Sequence, residues 1–218
     1  ISVQYVDRIL DDYIKNNELI DPISNNKIIR DESIKVIKKT INLSNKISDI
    51  TNKKVKIVGS FSRIHKNKIK TLDKIFNFLE SFSGDNFTLL PQWLPKIAWY
   101  FGGAEKQNIF CDTEDIDYIL KNNKRICLDV SHLILSANYV NMNWRNWYKK
   151  LIKITEHIHL SDARGIDGEG INFGEGDLNK IDFILKNKNV KVLEVWQGHL
   201  ENGKKFYKAI NTLYYEYS

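Results

Sequence analysis

Runs of strand-forming residues alternate with stretches of helical period along the whole chain, and this restricts the fold more than any other feature of the sequence. The strand-like runs are ISVQYV (1–6), VKIVGS (55–60), FTLLPQ (87–92), RICLDV (125–130), HIHLSD (157–162) and KVLEVW (191–196). Helical patterns lie between and after them, at 31–49, 67–82, 113–122, 143–155, 177–187 and 203–216. In the first of these, Ile34, Ile37, Ile41 and Ile47 recur near the 3.6-residue period. Thr113 and Asp177 are suited to N-caps. Six strand–helix units in succession predict an α/β fold, a parallel sheet with helices outside it.

Length and composition set further bounds. With 218 residues and 42% hydrophobic content, the chain can build one sizeable core, and a single domain over 1–218 is expected. The net charge is +6, from 33 basic and 27 acidic residues. Lysines are scattered among Asn and Ile, as in KNNKR and KNKNVK. That reads as a composition bias over the whole chain, so no nucleic-acid partner is expected. Two cysteines, Cys111 and Cys127, make neither a disulfide framework nor a zinc knuckle, which fits a reducing, cytoplasmic compartment. No apolar run reaches the roughly 18 residues of a membrane span, and no signal peptide is expected. The stretch 91–112, containing QWLP and WYFGG, reads as a long loop of functional kind.

Polar residues recur at the C-terminal ends of successive strand-like runs: Gln92, Asp129, His159 with Asp162, and Glu194. In a (β/α) barrel that end carries the active site. Asp129 closes the apolar run Ile126–Leu128, and a buried acid there is costly without a metal or a charge partner. Asp129, His159 and Glu194, with Gln92 as a neutral oxygen, suit Mn²⁺, Mg²⁺, Co²⁺ or Zn²⁺. The plainer alternatives are a loop-capping acid at Asp129 and a hydrogen-bonded core histidine at His159. His157 and His159 share a strand face, and His159, nearer the strand end, is the preferred ligand. His132 is expected in a loop, touching a substrate oxygen, supporting the metal or simply lying at the surface. The glycine-rich stretch 161–177 lacks the arrangement of a phosphate-binding loop. Its Arg164 could clamp a hydroxyl, carboxylate or phosphate, and a flexible surface loop is the competing reading.

FTLLPQWLPKIAWYFGG, ICLDVSH, HIHLSDARG with GEGDLN, and VLEVWQGH together resemble the xylose isomerase-like TIM-barrel superfamily. This group includes sugar and sugar-phosphate isomerases and epimerases, hydroxypyruvate isomerase and the abasic-site endonucleases. The resemblance spans nearly the whole chain. It is carried by D-x-x-H at 129–132, H-x-H with a later G-x-G over 157–176, and the late strand-end glutamate. It implies that Asp129, His159 and Glu194 hold one divalent metal, with His132 and Arg164 near substrate. The fourth ligand of the family is usually a glutamate on the strand at 87–92. Here it is Gln92, an amide that can bind a metal but cannot take a proton near neutral pH. WYFGG is also similar to a barrel module found beside sialic-acid-synthase-type proteins.

The resemblance implies a metal-dependent sugar or sugar-phosphate isomerase or epimerase working by proton transfer through an enediolate. Glu194 would serve as ligand and general base, and His132 as a catalytic and substrate-orienting residue. The alternative is a catalytically degenerate module that binds a sugar or a partner domain within a carbohydrate-biosynthesis protein. A nuclease is disfavoured, because Gly59 and Ser60, with Gln4, stand where the endonucleases carry further metal ligands. The family has eight strands. The chain is therefore expected to be a partial TIM barrel of about six βα units, lacking the first two. It would be completed by upstream sequence, a fused domain or self-association.

Overall fold

The computed structural model describes residues 1–5, 19–61, 66–82, 84–100 and 103–217. Strands and helices follow one another along the chain, but not in strict alternation. In order they are β1 (Ser2–Gln4), α1 (Lys27–Thr51), β2 (Val55–Gly59), α2 (Lys68–Ser81), β3 (Phe87–Pro91), β4 (Ile97–Tyr100), β5 (Gly103–Lys106), α3 (Thr113–Lys121) and β6 (Ile126–Asp129). They continue as α4 (Val130–Tyr139), α5 (Trp144–Leu151), β7 (Thr155–Leu160), β8 (Asp162–Arg164), β9 (Gly168–Ile171), α6 (Asp182–Leu185), β10 (Lys191–Leu193) and α7 (Leu200–Tyr217). Two compact units result. The first comprises 1–92 with 124–126, the second 93–123 with 127–218.

The first unit holds the parallel sheet β1-β2-β3, in which Val3 pairs with Ile57 and Ile57 with Leu89. Val55, Ile57, Val58 and Leu90 are buried in it, as parallel strands covered by helices require. The α1 stripe is set by Ile29, Ile37 and Ile41, which are buried, while Ile34 and Ile47 are half-buried. Asn26 and Asn67 start α1 and α2 by accepting from the N–H groups of Ile28 and Lys70. Of the expected strand 1–6, Ser2–Gln4 is regular and residue 6 lies outside the described residues.

In the second unit β7 lies between β10 and β6, and β10 pairs with it in parallel. Cys127, Leu128, Ile158 and Leu160 are fully buried, as are Leu133, Ile134 and Leu135 of α4. Trp93 is wholly buried and meets Trp147 edge-on at 6.0 Å. Four expectations are corrected here. The stretch 91–112 is not all loop, because β4 and β5 form an antiparallel hairpin with Ile97 opposite Lys106. The glycine-rich 161–177 likewise contains the β8–β9 hairpin. The N-cap of α3 is Asp112, not Thr113, in a reciprocal capping box with Asp115. Asp177 caps no helix, and only Asp182–Leu185 of 177–187 is helical. The C-terminal helix matches 203–216 beyond a break at Glu201, Asn202 and Gly203, all with positive φ.

Candidate metal centre

Asp129 ends β6 and begins α4. Its Oδ1 accepts from the His132 N–H at 3.1 Å and from the Ser131 hydroxyl at 3.0 Å, so the side chain is the N-cap of the helix. The strand-end acid thus has a local partner, worth about 1 kcal/mol to the helix. Its other oxygen, Oδ2, lies 3.4 Å from His132 Nδ1 and 4.0 Å from His159 Nδ1. Burial works to raise the Asp129 carboxyl. The His132 and His159 rings, the His132 N–H and the Ser131 hydroxyl outweigh it and hold the group below its ordinary value.

His159 stands next to the last residue of β7 and is buried. Its Nδ1 donates toward Glu194 Oε2 at 3.0 Å. Glu194 follows β10 directly, and its backbone N–H donates to the Leu160 carbonyl at 3.2 Å, extending the ladder by one residue. Burial pushes the Glu194 carboxyl up, and the Asp129 charge adds to it against the opposing pull of His159. One donor atom from each of Asp129, His159 and Glu194 falls within 4.8 Å of the others. Two carboxylates and an imidazole at that spacing, mostly buried, fit a small divalent cation. A cation would also offset the burial and, after it, the Asp129 charge that hold Glu194 above its normal range.

His132 is not in a loop, as the sequence suggests; it sits in the first turn of α4. Its Nδ1 lies 3.0 Å from the Trp93 carbonyl, and its Nε2 lies 3.3 Å from Glu169 Oε2. Both ring nitrogens face oxygens that only accept. Burial would lower its pKa, but Asp129, Glu169 and the Trp93 carbonyl more than reverse this and push it up to about 10. His157 is fully buried below His159, the rings meeting edge-on at 5.2 Å. The choice of His159 over His157 for the cluster agrees with this placement.

Glu169 is the residue that sequence reasoning misses. It stands on β9, between two glycines in a stretch that reads as loop. The hairpin carrying it is built by Asp162, wholly buried, which accepts from the N–H groups of Ala163, Gly174, Gly176 and Leu178 at 2.7–3.1 Å. Asp162 therefore organises the loop, and its place in the strand-end series is structural. Asp177 does the same nearby, accepting from Asn138 Nδ2 and from the Gly165 N–H. Arg164 is exposed and donates to the Glu175 carbonyl, so it braces this loop.

Gln92 belongs to the first unit. Its N–H continues the sheet by donating to the Gly59 carbonyl at 2.9 Å, and its Oε1 accepts from Gln4 Nε2 at 3.4 Å and Ser60 Oγ at 3.3 Å. A side chain at Gly59 would meet the Tyr5 ring at 1.7 Å. A ligand could not stand there without moving that ring.

A second group, Cys111, Asp112 and Asp115, also clusters. Its carboxylates are committed to helix capping. Asp115 Oδ2 accepts from the N–H groups of Cys111 and Asp112, and Lys96 Nζ lies 3.1 Å from Asp112 Oδ2 and 3.5 Å from Cys111 Sγ. The lysine already supplies the positive charge. Among the described residues, no helix is long and apolar enough to cross a membrane.

No family model matches the chain, and no curated protein matches it. Among solved structures, it is similar to a crystal structure of a sugar phosphate isomerase/epimerase from Parabacteroides distasonis. The match covers 98% of this chain and 74% of that one, with 11% identity and a TM-score of 0.58. At that identity the likeness speaks to the fold alone: the chain has an α/β fold of alternating strands and helices, that of a partial TIM barrel.

Proposed function

We propose that the chain is a metal-dependent isomerase or epimerase acting on a sugar or sugar derivative. The observation that carries this reading is the convergence of Asp129, His159 and Glu194 within 4.8 Å on an isomerase-type fold. Asp129 and His159 would hold Mn²⁺, Mg²⁺, Co²⁺ or Zn²⁺, together with Glu194. A cation bound there supplies Lewis-acid stabilisation of negative charge on a substrate oxygen. Glu194 is the most accessible of the three, about one-third exposed, and would move a proton at a carbon next to the substrate carbonyl. His132, with Nδ1 anchored on the Trp93 carbonyl, would orient a substrate oxygen. Arg164 would reach substrate only by leaving the Glu175 carbonyl. The sequence offers Gln92 as a fourth, neutral ligand. Q92E should then tighten Mn²⁺ binding, and unchanged affinity would remove Gln92 from the set.

Incubation of the protein with Mn²⁺ and a panel of aldoses, ketoses and their phosphates in D₂O tests the reading. Deuterium should enter at the carbon beside the carbonyl of one of them, and E194Q should abolish the exchange. Absence of exchange across the panel, with Mn²⁺ bound, would favour the second reading, a sugar-binding module without turnover. The amide at Gln92, its oxygen engaged by Gln4 and Ser60, speaks for that alternative.

A further inference from the structure

Glu169 stands on a hairpin that the structure fixes from two sides. Asp162 gathers the loop that follows it through four backbone N–H groups. On the other side, the Gly170 carbonyl accepts from the Trp196 N–H at 2.6 Å, two residues beyond Glu194. Gly170 has φ +67°, and a Cβ there would meet the Trp196 backbone at 3.0 Å and the Glu194 carbonyl at 3.3 Å. Helix α4 packs against both strands of the hairpin. Glu169 is thereby held at a defined place beside α4, with Oε2 3.3 Å from His132 Nε2. The opposite ring nitrogen is fixed by the Trp93 carbonyl at 3.0 Å.

We propose that Glu169 is the positioning residue for His132. A ring held only at Nδ1 can swing about that hydrogen bond; a second acceptor at Nε2 fixes its plane and its remaining edge. The proposal rests on the reading of His132 as a substrate-orienting group and deepens it: with Nδ1 taken by the Trp93 carbonyl, a substrate oxygen would share the Nε2–H with Glu169. Glu169 acts through His132 and lies outside the Asp129, His159 and Glu194 cluster. Its carboxylate is about one-quarter exposed, so it also sets the charge that a ligand meets on reaching the ring. Such outer partners of functional histidines usually decide ring orientation.

The test is the ring N–H signal of His132 in ¹H–¹⁵N spectra of histidine-labelled, metal-free protein, assigned by its disappearance in H132Q. Wild-type protein should show a slowly exchanging Nε2–H. In E169A its exchange should speed up by about tenfold or more, while the Nδ1–H on the Trp93 carbonyl persists. E169Q keeps the size and an acceptor oxygen, and should restore part of the protection. It also carries the test should E169A not fold. An Nε2–H that is unchanged in E169A, or unchanged in E169Q where E169A does not fold, overturns the proposal. So does a loss of Mn²⁺ affinity above about tenfold in E169Q, which would make Glu169 a ligand. Because the ring signal is read without metal, a wild-type chain that fails to bind Mn²⁺ would contradict the metal centre and leave this result standing.

Discussion

His159 Nδ1 and Glu194 Oε2 lie 3.0 Å apart because β7 and β10 run side by side in parallel, with Val192 opposite His159 and Leu193 opposite Leu160. The strand-end position of each residue follows from that register. Asp129 reaches the same place from β6, on the other side of β7. Three short strands thus turn residues far apart in sequence into one donor set.

The Gly170 position links the hairpin to the Glu194 segment. G170A should destabilise the protein by roughly 1–2 kcal/mol from the left-handed backbone alone, and more where the Cβ meets the Trp196 backbone. Thermal unfolding measures the first effect. Weaker Mn²⁺ binding in the folded variant measures the displacement of Glu194. A variant of wild-type stability would show that the tight approach at Gly170 is relaxed in solution.

Asp162 gives the largest effect expected outside the cluster. Removing it leaves four backbone N–H groups without their charged acceptor, and hydrogen bonds to charged groups contribute about 1.5–3 kcal/mol each. D162A should therefore lose on the order of 3 kcal/mol or more in denaturant unfolding, or fail to fold. D162N keeps one acceptor oxygen and should lie between. A loss below about 1 kcal/mol in D162A would mean that the loop finds other acceptors.

Both cysteines should be inert in the native protein. Cys111 and Cys127 are fully buried. Burial first, then the Asp129 and Glu194 charges, pushes the Cys127 thiol well above its ordinary range, so little thiolate forms. An aromatic disulfide reagent at neutral pH should titrate no thiol before unfolding and two after it. Rapid labelling of the folded chain would show that the β6 region opens readily.

The alternation of strands and helices is legible because buried strands and amphipathic helices leave different periods. The strand-end series is legible because an acid or a histidine closing an apolar run is costly to bury unless a charge, a hydrogen-bond partner or an ion meets it there. Helix α4 is not legible. Val130, Leu133, Ile134, Leu135 and Ala137 are buried together with Ser131 and Ser136, so the segment shows no polar face and no helical period. His132 consequently reads as a loop residue. Glu169 escapes notice for a different reason. A glutamate between glycines looks solvated, and its partner His132 comes from another element. Asp162 and Asp177 read as a site residue and a cap, whereas their carboxylates are spent on backbone N–H groups that only the folded loop brings near.

The central claim is that Asp129, His159 and Glu194 hold one divalent ion. Calorimetric titration of Mn²⁺ into the metal-free chain and into D129N, H159Q and E194Q tests it most directly. The account predicts one ion per wild-type chain and an affinity lower by more than about tenfold in each variant. Absence of binding to wild-type protein, or binding that all three substitutions leave unchanged, would contradict it.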